Sequence, residues 1–170
     1  MRYCGKMEHS MEKKYFPVFI DLSEKKVTVI GGGTIACRRV KTLCEFTEHI
    51  RVVAPEAAEF IKQAAGEKKV EWIKDTYKQE YIEDADLLVA ATDDPQVNHQ
   101  VKADGMTLEK QKNRRILVSV ADDRNLCDFY FPSIVQTEDV VVGINSGGSP
   151  KHTKEVRKKI EEILQGESIY

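Results

Sequence analysis

From Lys26 onward, short runs of β-branched and other apolar residues alternate with longer segments whose apolar positions recur at helical spacing. Val27 to Ile30, Ile50 to Val53, Val70 to Ile73, Leu87 to Ala91 and Ile116 to Val120 predict strands. Several are apolar at nearly every position, as in strands covered by helices on both faces. Thr34 to Phe46, Glu56 to Ala65 and Gln96 to Lys112 predict the helices between them. Such alternation feeds a parallel sheet, so residues 15–120 predict an α/β domain with a doubly wound parallel sheet. After Val120 the pattern changes. Phe129 to Val135 and Val140 to Asn145 predict two strands without a long helix between them. The turn Ser146-Gly-Gly-Ser-Pro150 ends the second, and a helix follows in which Val156, Ile160, Ile163 and Leu164 share one face. Residues 121–170 therefore predict a small strand-rich segment with a C-terminal helix, and an apolar stripe there suits a partner chain. Residues 1–14 are polar and patternless, Met7 and Met11 are as plausible a start as Met1, and no function is assigned to them.

The glycine turn after the first strand adds chemistry to this frame. Gly31, Gly33 and Ala36 fit G-x-G-x-x-G/A between an apolar strand and a helix, the Rossmann context for a nicotinamide dinucleotide. The first glycine permits the tight turn, the second lets backbone approach the pyrophosphate, and the helix N-terminus offers unpaired N–H groups to phosphate. A turn that merely closes a strand–helix corner is the plainer alternative. The second strand ends Val52-Val-Ala-Pro55, with Glu56 the nearest carboxylate and no arginine immediately after it, which favours NAD over NADP. Ala90-Ala-Thr-Asp-Asp-Pro95 lies at the carboxyl end of the fourth strand, where such sheets place their ligand crevice, and it can also start a helix with an aspartate cap. Ser119-Val-Ala-Asp122-Asp123 opens on the same edge. Either aspartate could act as a base, and either could serve only the turn.

Composition narrows the class. The chain has 170 residues, 41% hydrophobic, and a formal net charge of -2, which gives no support to a nucleic-acid partner. Its longest apolar runs fall far short of the roughly 20 residues that cross a bilayer, so no membrane span is expected. The charged N-terminus lacks an apolar signal core, which places the chain in the cytoplasm. Cys4, Cys37, Cys44 and Cys127 have no zinc or disulfide spacing and read as reduced thiols, Cys37 and Cys44 packing on one helix face. His9, His49, His99 and His152 show no ligand spacing either, so no metal site is expected.

Six segments in order, Pro17-Val-Phe, Gly31-Gly-Gly with Ala36, Ala90-Ala-Thr-Asp-Asp, Val120-Ala-Asp122, Phe131-Pro-Ser and Ser146-Gly-Gly-Ser-Pro150, resemble the precorrin-2 dehydrogenase family, the N-terminal module of siroheme synthases. The resemblance covers about Tyr15 to Leu164. It implies NAD-dependent oxidation of precorrin-2 to sirohydrochlorin, some relatives also inserting ferrous iron. It implies Asp122, rather than Asp123, as the catalytic residue. It implies cofactor contacts at Gly31, Gly33, Thr34, Ile35, Pro55, Glu56 and Thr92, and a serine near the tetrapyrrole at Ser146. It also implies a homodimer in which the strands after the Rossmann core exchange contacts. Lys151, Lys154, Arg157, Lys158 and Lys159 gather positive charge that would attract a carboxylate-rich substrate, Lys154 being the substrate-binding candidate; a solvated helix face is the alternative. Two further readings stay open, an NAD-binding regulatory module and a tetrapyrrole carrier without dehydrogenase activity.

Overall fold

A computed structural model describes residues 16–147 and 149–166; the expectations for residues 1–14, including Cys4 and His9, lie outside them. Five strands, β1 (Val27–Ile30), β2 (Ile50–Val53), β3 (Glu71–Ile73), β4 (Leu87–Ala90) and β5 (Leu117–Val120), form one sheet in the order β3-β2-β1-β4-β5. All four pairings are parallel. The helices α1 (Thr34–Leu43), α2 (Glu59–Gly66) and α3 (Pro95–Lys112) connect them, and a short 3-10 turn at Gln79–Ile82 stands between β3 and β4.

The sheet buries both faces because apolar side chains alternate along each strand into separate cores. Val27, Val29, Val52, Leu87 and Val89 join Ala36, Val40, Leu43 and Ile61 of α1 and α2 on one face. Ile30, Val53, Leu88, Ala90 and Val118 join Val101 and Leu108 of α3 and Ile82 on the other. Each fully buried aliphatic side chain contributes roughly 1.5–3 kcal/mol relative to exposure, so the continuous apolar strands are what this layering requires. Cys37 and Cys44 are free thiols packed against the first core.

Helix ends follow local chemistry. Asp94 caps α3 by accepting the Gln96 N–H at 2.8 Å, with Pro95 in the first turn. Asn113 ends it in the left-handed conformation, φ 47°. Segment 104–112 thus continues one helix. The other helices are shorter than the periodicity suggests: α1 stops at Leu43 rather than Phe46, and α2 begins at Glu59 rather than Glu56. The second difference has a tertiary cause, described below.

Beyond β5 the chain forms an antiparallel hairpin of β6 (Ser133–Gln136) and β7 (Val141–Ile144), then α4 (Pro150–Gly166), which lies against both strands. β6 starts at Ser133 rather than Phe129 because Phe129 and Phe131 pack instead against the first core, and β7 is one residue shorter at each end than the expected Val140 to Asn145. On α4, Val156, Ile160 and Leu164 are half-buried while Ile163 is 56% exposed.

Candidate functional site: the carboxyl edge of the sheet

The strand order reverses direction between β1 and β4, so the loops after these two strands part and leave a crevice at the carboxyl edge. A cleft of about 550 Å³ lies there, bounded by Gly31 to Thr34, Pro55 to Ala58, Tyr77, Thr92 and Val97.

The three glycines of the turn do three different things. Gly31 has φ +117°, donates its N–H to Val53 O at 2.9 Å, and would put a Cβ 2.3 Å from Ala91 O. Only glycine fits that conformation and approach. Gly32, outside the motif spacing and missed by it, is packed just as tightly: a Cβ would stand 2.1 Å from Glu56 O and 2.8 Å from Ala57 Cα. Its carbonyl accepts the Ala58 N–H at 2.8 Å. This contact holds residues 56–58 as a loop against the turn, which is why α2 starts late. Gly33 faces open space. It precedes α1 without a side-chain cap, so the first-turn N–H groups of Thr34 and Ile35 have no intrahelical acceptor. The first core-facing residue of α1 is Ala36.

Pro55 and Glu56 form the opposite lip. The Glu56 side chain is 78% exposed and lies 3.8 Å from Lys74 Nζ. Beneath it, the Trp72 indole donates to Ala54 O at 3.0 Å and ties β3 to the end of β2. Tyr77 donates to Asp104 at 2.7 Å; burial, then that carboxylate, pushes the phenol pKa far up and keeps it a donor.

Thr92 and Asp122 come together through a residue the motifs did not single out. Asn98, on the second turn of α3, is fully buried and bonds to both. Its amide donates to Asp122 Oδ1 at 2.9 Å. Asp122 is exposed at the end of β5, on the same edge as the glycine turn. Asp123 has a different job: its carboxylate accepts the Asn125 N–H at 2.8 Å and caps a short 3-10 turn, with His99 Nε2 3.7 Å away. The two adjacent aspartates thus differ in their hydrogen-bond partners, Asp123 serving a backbone cap and Asp122 facing the Asn98 amide.

Two more residues at this edge make contacts that no motif indicated. Cys127 Sγ accepts the Val120 N–H at 3.2 Å, and a thiol thereby closes the end of β5. Arg39 of α1 is half-buried with its guanidinium 4.3 Å from the centre of the Phe131 ring. Burial, then neighbouring Arg38, lowers its pKa, and among the described residues no carboxylate lies in ion-pair reach of it.

Ser146 and Lys154 stand apart from these loops, on the hairpin and α4. The Ser146 hydroxyl donates to Ser149 O at 2.8 Å and shares a short hydrogen bond with Thr153 Oγ1, so it braces the start of α4. Lys154 is exposed. Arg157 and Lys158 pair with Glu161 and Glu162 on their own helix. Among the described residues, no contact links Ser146 or Lys154 to Asp122, and no cluster of three metal-ligating side chains occurs.

The cleft fits a nicotinamide dinucleotide on its own geometry. Space over Gly33, an uncapped helix N-terminus, and small or apolar walls at Ala54, Ala91 and Val97 would take a pyrophosphate and flat rings. Together with the parallel sheet and its switch point, they define a dinucleotide-binding Rossmann protein. Comparison with known proteins agrees: the profile of a family described as "Putative NAD(P)-binding" matches residues 18–133. The chain is 35% identical to precorrin-2 dehydrogenase of Bacillus subtilis over 154 residues, 90% of this chain and 91% of that protein. It is 37% identical to siroheme synthase of Mannheimia succiniciproducens over 151 residues, and spans 30% of that protein's length. Among solved structures, SirC, a precorrin-2 dehydrogenase, shares the fold with a TM-score of 0.68 at 24% identity, over 89% of this chain and 74% of that one. The chain belongs to the precorrin-2 dehydrogenase family.

Proposed function

We propose that this chain oxidises precorrin-2 to sirohydrochlorin with NAD. The observation that carries the reading is the placement of the Asp122 carboxylate on the dinucleotide edge, one oxygen held by Asn98 and the group otherwise open to solvent. NAD, when bound, supplies the hydride acceptor. Gly31, Gly33, Thr34 and Ile35 would hold its pyrophosphate, Pro55 and Glu56 its adenosine ribose, and Thr92 would border its nicotinamide half. Oxidation removes a proton along with the hydride. Asp122 Oδ2 takes that proton from the macrocycle and, being exposed, passes it to water.

The division of labour follows the chain: residues 15–120 bind NAD, and residues 121–170 carry the substrate side and the homodimer contact. Support for a homodimer comes from apolar side chains exposed on one protomer, Val141 of β7 at 38% and Ile163 of α4 among them. Support for a carboxylate-rich substrate comes from Arg39, a half-buried cation with no carboxylate in ion-pair reach among the described residues, and from the exposed Lys154. Ser146 is assigned to the substrate side by family resemblance. No helix among the described residues is long and apolar enough to cross a membrane, and free thiols at Cys37, Cys44 and Cys127 suit a reducing cytoplasm.

The test is an anaerobic mixture of purified protein, precorrin-2 and NAD, followed by absorbance. Sirohydrochlorin and NADH should form in equal amounts, and Asp122→Ala should lose this activity while still binding NADH. A wild-type protein that binds NADH but leaves precorrin-2 unchanged would overturn the reading in favour of a binding module.

A further inference from the structure

Asn98 is 0% exposed, an unusual burial for a primary amide. Its Oδ1 accepts the Thr92 N–H at 3.0 Å and the Thr92 hydroxyl at 2.8 Å. Its Nδ2 donates to Thr92 O at 3.1 Å and to Asp122 Oδ1 at 2.9 Å. Both donors and both acceptor positions are therefore used, which is the full capacity of the side chain. Its orientation is fixed by the Thr92 N–H, which can only donate and so faces Oδ1, leaving Nδ2 toward Thr92 O and Asp122.

This amide bridges two loops that follow neighbouring strands, since Ala90 at the end of β4 is paired with Val120 at the end of β5. Thr92 lines the dinucleotide cleft; Asp122 stands beyond it in a solvent-exposed turn. A carboxylate on an exposed turn samples several rotamers unless something holds it. Asn98 supplies that hold from the rigid second turn of α3, itself fixed by the Asp94 cap.

We propose that Asn98 is the positioning residue that keeps the Asp122 carboxylate in register with the Thr92 lip of the dinucleotide cleft. The inference rests on the assignment of proton transfer to Asp122 made above. The Asn98→Asp variant tests it with little change of volume. It retains the acceptor for the Thr92 N–H and hydroxyl and puts a second carboxylate oxygen where Nδ2 had donated to both Asp122 Oδ1 and Thr92 O. The expected result is a kcat lower by about 10–100-fold, as for a misplaced reacting group. The Kd for NADH, read by fluorescence titration, should stay within about threefold of wild type, roughly 0.7 kcal/mol. A role limited to bracing the fold would lower the melting temperature and leave kcat unchanged, and that outcome overturns the proposal. Asn98→Ala gives the same comparison if the charged variant does not fold.

A thermal cycle of Asn98→Ala, Asp122→Ala and the double variant reads the contact without any turnover. Non-additive melting shifts are expected for side chains in direct contact; additive shifts would overturn the inference whatever the activity. The two readings remain separable. If wild-type protein does not oxidise precorrin-2, the functional proposal falls while the thermal cycle still reports on the bridge.

Discussion

Replacing Gly32 and Gly33 one at a time by alanine should separate folding from ligand binding at adjacent positions. At Gly32 a Cβ would overlap Glu56 O at 2.1 Å and crowd Ala57 Cα at 2.8 Å. Both are backbone atoms, so the loop itself must move, and the Ala58 N–H bond to Gly32 O is strained with it. Overpacking costs about 1–3 kcal/mol and a weakened hydrogen bond about 1 kcal/mol, together about 2–4 kcal/mol. For a chain of this size that lowers the melting temperature by roughly 4–16 °C. At Gly33 a Cβ meets nothing within 4 Å, and φ is -76°, which alanine adopts freely. Restricting the unfolded chain gains about 0.4–1 kcal/mol, and alanine is a poorer helix cap than glycine by a similar amount. The two offset, so apo Gly33→Ala should melt within roughly 4 °C of wild type. Its added methyl fills the space assigned to the pyrophosphate, and NADH affinity should fall at least about tenfold, or 1.4 kcal/mol. Differential scanning fluorimetry gives the first quantity and NADH fluorescence titration the second. A Gly33→Ala protein that binds NADH like wild type would refute the placement of the pyrophosphate, and a Gly32→Ala protein that melts normally would refute the packing argument.

Four other perturbations test separate parts of the reading. Asp84 is held below the usual carboxylate range: burial raises it, but hydrogen bonds from Arg51 and Lys26 outweigh burial. Because the folded pKa is the lower one, this stabilisation is complete above the unfolded value of about 3.9 and is lost as pH falls through the folded value. Wild type should thus lose more melting temperature than Asp84→Asn across that acid range, and parallel curves would count against the pairing. Glu56→Gln removes the negative charge that would repel a 2′-phosphate and frees Lys74, so the NADPH-to-NADH affinity ratio should rise about tenfold, 1.4 kcal/mol, in titration. An unchanged ratio would remove Glu56 as the selector. Val141→Lys with Ile163→Lys should shift sedimentation from dimer to monomer while circular dichroism is kept; a dimer that persists would place the interface elsewhere. Lys154→Glu should raise KM for the tetrapyrrole at low salt more than at high salt, and an unchanged KM would identify a solvated helix face.

Local pattern determined much of this protein. Apolar runs at Val27, Ile50 and Leu87 with helical periods between them specify parallel strands covered on both faces, because side-chain periodicity is a property of the backbone alone. The turn Gly31 to Ala36 was legible for the same reason, its demands being local to a strand end and a helix start. What tertiary structure decided involves groups far apart in the chain. The order β3-β2-β1-β4-β5 set β4 beside β1 and β5 beside β4, which opened the crevice between the Gly31 and Thr92 loops and made the Asp122 loop a neighbour of Thr92. Gly32 became indispensable only because Glu56 and Ala57 fold over it, which also delayed α2 to Glu59. Asp123 was committed to a turn cap and Asp122 to the Asn98 amide, although their side chains are identical. Asn98 joined two loops across 6 and 24 residues of sequence, a link that exists only after α3 has packed on the sheet. Sequence carries residue types and near-neighbour spacing, whereas hydrogen-bond partners and steric room depend on what the fold places opposite.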